Sequence, residues 1–217
     1  TGNNYAVAEF ENLSGVGTFD HTGSAYTLDL GTLALGTGPF GINLGVLNAA
    51  IGPADQLNGT FDISGDAAFT NTGFGAFSGL VAGHHDAAPH VFLSTNDAGS
   101  FAETITLHST GVNGSGYSGA LGDLTLTITG AIGAGAAATL NTTTPVDFGI
   151  VHIGDSVSQL LSITNTGGAG AQDLIGSVSI VSGNATGSGS FGGLAAGDTD
   201  STSIAVGIDT AAAGAKI

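Results

Sequence analysis

One internal repeat constrains this chain more than any other feature. Leu28-Asp29-Leu30-Gly31 is answered by Val146-Asp147-Phe148-Gly149, Gly36 by Gly154 and Asn48 by Asn165. The segment 54–63, A-D-Q-L-N-G-T-F-D-I, is answered by 171–180, A-Q-D-L-I-G-S-V-S-I. F-S-G-L-V-A-G from Phe77 is answered by F-G-G-L-A-A-G from Phe191. A self-similar chain builds one structural unit twice, so the repeat decides the architecture before any single residue does.

The period inside each copy is that of strands. Leu124, Leu126 and Ile128 alternate with Thr125, Thr127 and Thr129, and Ile105 and Leu107 alternate with Thr104, Thr106 and His108. This is the half-buried pattern of an antiparallel sheet, with β-branched Thr on the wet face. Further strands are expected at 5–10, 26–30, 42–47, 57–63, 68–70, 74–77 and 89–95 of the first copy. The second copy should show them at 146–150, 156–164, 174–181, around Phe191 and at 202–208. No stretch carries a helical stripe, and short strands between Gly and Asn turns point to sandwiches. The fold class expected is all-β, with two tandem immunoglobulin-like antiparallel β-sandwich modules. The first takes 1–132, including an N-terminal strand before the repeat. An Ala/Gly/Thr linker spans 133–144. The second module, 145–217, lacks its last strand or strands, because nothing answers 101–109 and 123–130.

Charge excludes whole classes of partner. Lys216 is the sole Lys or Arg, against 17 carboxylates and 6 His, a net charge of -16. Nucleic-acid backbones and anionic lipid surfaces need cationic side chains to replace counterions, so neither is a partner. No apolar run approaches the length of a membrane span, so no membrane insertion is expected. The chain has no Cys, hence no disulfide or thiolate site. No secretory leader is visible at Thr1, which suits a mature form or a fragment.

The second copy resembles the bacterial choice-of-anchor D repeat, a relative of the ASH/HYDIN immunoglobulin-like folds. The residues that carry the resemblance are Val146-Asp-Phe-Gly149, Ile153-Gly-Asp155, Leu161-Ser-Ile-Thr-Asn-Thr-Gly167, Leu194-Ala-Ala-Gly197 and Ala212-Ala-Gly214. The first copy is similar to the longer repeat that accompanies it, through Tyr26-Thr-Leu-Asp-Leu-Gly31, Leu47-Asn48, Ala54-Asp-Gln-Leu57 and Gly116-Tyr117. These are turn-and-strand signatures. The resemblance implies a structural or adhesive array on the bacterial cell surface, with no catalytic residues to carry over.

The expected role is therefore a non-enzymatic extracellular building block, a stalk, adhesin segment or filament subunit. An incomplete sheet offers unpaired N–H and C=O groups to another chain. The strand 5–10, with Tyr5, Val7 and Glu9 on one side and Phe10 on the other, could fill such an edge in a neighbour. The receiving edge would lie near 205–217, with Val206, Ile208 and Ile217 as contacts. Head-to-tail filling makes an open homopolymer, and neighbouring repeats of the same array are the other expected partner.

The alternative reading is a cation- or glycan-binding module. His84, His85 and His90 lie close enough in sequence to converge on a transition metal. The equivalent loop of the second copy has no His but carries Asp198 and Asp200, whose hard oxygens suit calcium. No cofactor is expected, calcium apart. Gly133-Ala-Gly135 follows a strand, but no helix follows it, so the dinucleotide reading fails. Trp is absent and only 3 Tyr are present, which weighs against aromatic sugar platforms. Because trypsin cleaves only after Lys or Arg, prolonged digestion should leave all residues up to Lys216 in one piece. Intact-mass spectrometry checks this, and internal fragments would contradict it.

Overall fold

A computed structural model describes residues 2–168, 170–181 and 183–216. All regular elements among them are strands, and no helix there is long and apolar enough to cross a membrane. The chain divides into two compact units, Thr1–Ile132 and Gly133–Ile217. The first contains β1 (Ala8–Asn12), β2 (Thr18–Thr22), β3 (Ala25–Leu33), β4 (Phe40–Asn48), β5 (Gln56–Gly65), β6 (Phe69–Thr72), β7 (Phe77–Leu80), β8 (His85–Asp86), β9 (His90–Leu93), β10 (Gly99–Val112) and β11 (Ser118–Ile132). The second contains β12 (Ala138–Leu140), β13 (Ser158–Leu160), β14 (Ile163–Asn165), β15 (Leu174–Ser177), β16 (Ala185–Ser188), β17 (Ser190–Leu194), β18 (Thr199–Asp200) and β19 (Ala205–Ile208).

In the first unit one sheet runs β1-β4-β9-β6, with β8 also on β4, and the other runs β2-β3-β11-β10-β5-β7. Their apolar faces share one core, consistent with a β-sandwich: Ile42, Leu44, Val46, Val91 and Leu93 from the first sheet, Leu28, Leu57, Ile105, Leu107, Leu126 and Ile128 from the second. Strand period places them there. Ile105 pairs with Leu126 and Leu107 with Leu124 on the core side, while Thr104 opposes Thr127 and Thr106 opposes Thr125 outside. A one-residue slip would exchange the two faces, so burial fixes the register. The antiparallel expectation has one exception, since β11 lies parallel to β3. Residues 34–117 between them give the long crossover that a parallel pair needs.

The second unit repeats part of the first, pairing by pairing. Pairing of Leu57 with Leu80 and Gly59 with Phe77 recurs as Leu174 with Leu194 and Gly176 with Phe191, with the same register shift between the pairs. In both, the Phe ring occupies the space above the glycine that a Cβ would fill. Gly73 and Gly189 have positive φ, and a methyl group at either would overlap the carbonyl oxygen of Ala88 or Ser203. Gly31 donates to Asp29 Oδ1 at 2.9 Å, and Gly149 to Asp147 Oδ1 at 2.8 Å. The repeat read from the sequence is thus a repeat of backbone geometry.

At the centre of each copy sits one fully buried asparagine. The Asn48 amide donates to the carbonyls of Asp55 and Leu80 and accepts from the N–H groups of Val7 and Ala50. The Asn165 amide donates to Gln172 and Leu194 and accepts from Ala137 and Gly167. Four backbone segments meet on each side chain.

This equivalence corrects two boundaries. The stretch 133–144 is not a linker: Ala138–Leu140 pairs with β14 as the first strand of the second unit. Ala49 donates to the Val7 carbonyl and Thr166 to that of Ala137, both at 2.7 Å, so β12 is the counterpart of β1. Nor does the N-terminal strand stand outside the repeat. It opens the first module, pairing Ala8 with Asn48 and Phe10 with Val46, and Phe10 is buried in that module's core. Small Ala and Thr residues hid the second copy's version, because they carry no apolar alternation.

Truncating Asn48 removes the side-chain partner of two carbonyls and two N–H groups, and each such group left unsatisfied costs roughly 1–3 kcal/mol. Asn48→Ala should destabilise the first unit by about 2–4 kcal/mol in urea unfolding. Asn48→Asp should cost at least as much at neutral pH, since a carboxylate would face two carbonyls. Stability unchanged by either variant would show that the amide is not the organising contact.

Candidate functional site: an uncovered edge and face in the second unit

In the first unit β5 is flanked by β7 on one side and β10 on the other. Its counterpart β15 keeps β17 in the same register, and among the described residues no strand occupies its other side. The segment 146–149 answers the part of β3 that lies along β11 and likewise forms no sheet. The two three-stranded sheets β12-β14-β18 and β13-β19-β16 together reproduce the whole first sheet. Of the second sheet, the described residues form only the β15–β17 pair.

The consequence is a face without a cover. Leu28, Leu44, Val46, Leu57, Val91 and Leu93 are buried in the first unit. Their counterparts Val146, Leu161, Ile163, Leu174, Val206 and Ile208 are all only half-buried. Among the described residues of the second unit, Ile204 alone is a fully buried large hydrophobic side chain. Val146, Phe148, Val151 and Ile208 line a groove of about 370 Å³ there. Ile175 on β15 is 76% exposed and Val181 is 94% exposed. Exposed apolar surface next to unpaired backbone groups is the physical description of a strand-addition site.

The structure redistributes the contact residues expected from sequence. Val206 and Ile208 lie on β19, which is paired on both sides, by β13 and β16, and is no edge. Among the described residues, the edge that is covered in the first unit and uncovered in the second belongs to β15. Ile217 falls outside the described residues. Tyr5 and Val7 remain exposed, Tyr5 with its ring centroid 5.8 Å from that of Tyr117, while Glu9 opposes Leu47 and Phe10 is internal. Strand pairing seen in outline from sequence pointed to an open edge. Which strand owned it depended on sheet order, which no local pattern encodes.

The expected metal ligands do not converge. His85 Nδ1 lies 3.2 Å from Glu11 Oε2, and His90 Nδ1 lies 2.8 Å from Asn43 Oδ1. His84 contributes its carbonyl to Asn48 N–H. Asp200 accepts from the backbone and hydroxyls of Thr202 and Ser203, bonds that outweigh partial desolvation and lower its pKa. Asp198 contributes backbone bonds to Asn165 and Ala195. Among the described residues no group of three or more His, Asp or Glu is placed to hold a metal. The Glu11–His85 pair spans Gly45, whose missing side chain leaves it room. In the second unit the same place holds Asn141, Ser162, Thr164 and Thr199 in a neutral ladder.

Sequence reasoning missed two titratable clusters, both in the first unit. His108 bridges three strands, with Nδ1 2.8 Å from Asp123 Oδ1 and Nε2 3.1 Å from Asp62 Oδ2. The hydrogen bonds to Asp123 and Asp62 raise its pKa. Glu103 is buried on the core side of β10, with Oε1 accepting from Asn71 Nδ2 at 2.6 Å. Glu103 Oε2 and Asn71 Oδ1 both lack a partner, and burial raises the Glu103 pKa. Strand alternation marks Glu103 as inward, which is the signal that could have found it.

Both shifts are upward, so each group binds its proton more tightly folded than unfolded. The stabilisation is full below the ordinary value and is lost as pH rises through the folded value. The first unit should therefore lose stability with rising pH in two ranges, one above the usual Glu value and one above the usual His value. Urea midpoints across pH 4 to 9 check this. Glu103→Gln should flatten the acid range and His108→Gln the near-neutral range, and profiles parallel to the parent chain would refute the assignment.

Comparison with known proteins gives no family. No family model matches the chain, and no curated protein does. Among solved structures, a protein of unknown function from Porphyromonas gingivalis W83 is similar at 12% identity and a TM-score of 0.33, over 93% of this chain and 83% of that one. The secreted serine protease VesC from Vibrio cholerae is similar at 13% identity and a TM-score of 0.35, over 89% of this chain and 46% of that one. This chain thus spans less than half the length of the protease chain. Likenesses at this level bear on neither activity nor partner.

Proposed function

We propose that the chain is a non-enzymatic extracellular building block, made of tandem immunoglobulin-like β-sandwich modules that belong to an array on a bacterial cell surface. The observation that carries this reading is the paired state of the two units. One hydrogen-bond frame is built twice, once with its second sheet closed and once with β15 and an apolar face left open. A module of this kind works by edge contact. The contact site is β15, in place of donation by residues 5–10, which serve their own module. The strongly acidic surface supports solubility outside a nucleic-acid or lipid environment.

Negative-stain electron microscopy and light scattering of the purified chain test the reading. Concentration-dependent oligomers or filaments are expected, and Ile175→Lys should abolish them, because a charge on an open edge is the usual block to pairing. Discrete monomers at every concentration, indifferent to that substitution, would overturn it.

A further inference from the structure

We infer that Glu103 keeps its proton in the folded first unit and closes a cyclic acid–amide pair with Asn71, a clamp that ties the outermost strand of one sheet to the middle of the other. Glu103 lies on β10 and is 4% exposed, facing the core between Ile128 of β11 and Gly65 of β5. Asn71 lies on β6 of the opposite sheet and reaches across to it. Their one hydrogen bond, from Asn71 Nδ2 to Glu103 Oε1 at 2.6 Å, leaves two oxygens over. Glu103 Oε2 and Asn71 Oδ1 are both shut off from solvent and without a donor. Glu11 Oε2, the other such oxygen among the described residues, has the His85 ring 3.2 Å away.

A carboxylate oxygen and an amide oxygen both only accept, so the two leftovers cannot pair with each other. One proton on Oε2 changes that. The acid O–H donates to Asn71 Oδ1, while the amide N–H already donates to Oε1. A single hydrogen then satisfies both buried atoms, and no ion remains in the core. Burial holds the carboxyl above the usual glutamate value. No competing charge faces it: β5 presents Gly65, β11 presents Ile128, and β9 presents Val91 beside Asn71. Asp66, next to Gly65, accepts from the Ala102 N–H at 2.7 Å, and His90 of β9 turns its ring to Asn43. The first unit has no Lys or Arg that could hold an ionised Glu103.

The clamp acts on β6. That strand ends its sheet, in the order β1-β4-β9-β6, and pairs only with β9, from Phe69 opposite Leu93 to Thr72 opposite His90. Phe69 anchors its start in the core, and Asn71 is its other inward side chain. Loss of the proton leaves a buried carboxylate with one oxygen unpaired, a state relieved by letting water in. β6 therefore loosens at its Asn71 end before the unit unfolds, and β9 becomes the edge of the sheet.

Carbon-13 labelling at Glu Cδ tests this on the whole chain, since Glu9, Glu11 and Glu103 are all its glutamates. Glu103→Gln, whose amide can make both bonds to Asn71, identifies the Glu103 signal by removing it. In the parent chain that carboxyl should still be neutral above the pH at which an ordinary glutamate has ionised. As it titrates, hydrogen-exchange protection of the Phe69–Thr72 amides, corrected for intrinsic exchange, should fall by about tenfold or more, while that of Ala8–Asn12 holds. In Glu103→Gln the protection of Phe69–Thr72 should stay at the parent's acid level throughout. A Glu103 signal that titrates at the ordinary value would overturn the inference. So would a Gln variant that is unfolded, or unprotected at β6 in acid, because Asn71 would then need the carboxylate itself. Equal losses in β1 and β6 would also overturn it, by making the opening global.

Discussion

Each module of this chain depends on a buried asparagine. Asn48 and Asn165 each reach across four backbone segments and hydrogen-bond to a polar group of every one. A side chain with two donors and two acceptor sites is one of few that can close such a junction. It sits where the first strand enters, where the loop after it turns, and where the β5–β7 or β15–β17 pair ends. Strand order, loop path and register all converge there. An apolar residue of that size would leave four desolvated backbone groups, so the polar contact is the condition under which the surrounding core can pack.

Around that junction the two copies spend their sequence differently. The first adds a long hairpin whose Ile and Leu residues complete the core, and its outer surface gains the Asp62–His108–Asp123 bridge. The second keeps the frame without the cover. Its inward residues are smaller or half-exposed, and the ionic Glu11–His85 contact becomes a neutral ladder of Asn, Ser and Thr. Buried and exposed apolar surface are thereby divided between the units. Burial is concentrated in one, and accessible apolar surface with unpaired strand groups in the other.

Much of the frame was legible in the residues. Asn48 and Asn165, Gly59 and Gly176, Phe77 and Phe191 appear as repeated letters because each occupies a backbone position that tolerates little else. The Thr-alternating strands were legible for a different reason, since period two is the direct imprint of a half-buried sheet. Ala138–Leu140 was not, because Ala and Thr beside Gly look like a connection and become a strand only by pairing with β14. The histidines of 84–90 were misread as convergent, since β8 and β9 follow one another along β4 and each ring takes its own neighbour, His85 beside Glu11 and His90 beside Asn43.

The sequence by itself determined the all-β class, the strand period, the repeated turn and strand residues and the acidic charge. These follow from periodicity, repetition and charge, which are local or additive properties. Only the tertiary structure decided that the N-terminal strand belongs to its own module, that Val206 and Ile208 lie on a strand paired on both sides and that β15 lacks the neighbour β5 has. Those are facts of sheet order. Sheet order is set by which faces bury each other across long separations, and no stretch of residues states it alone.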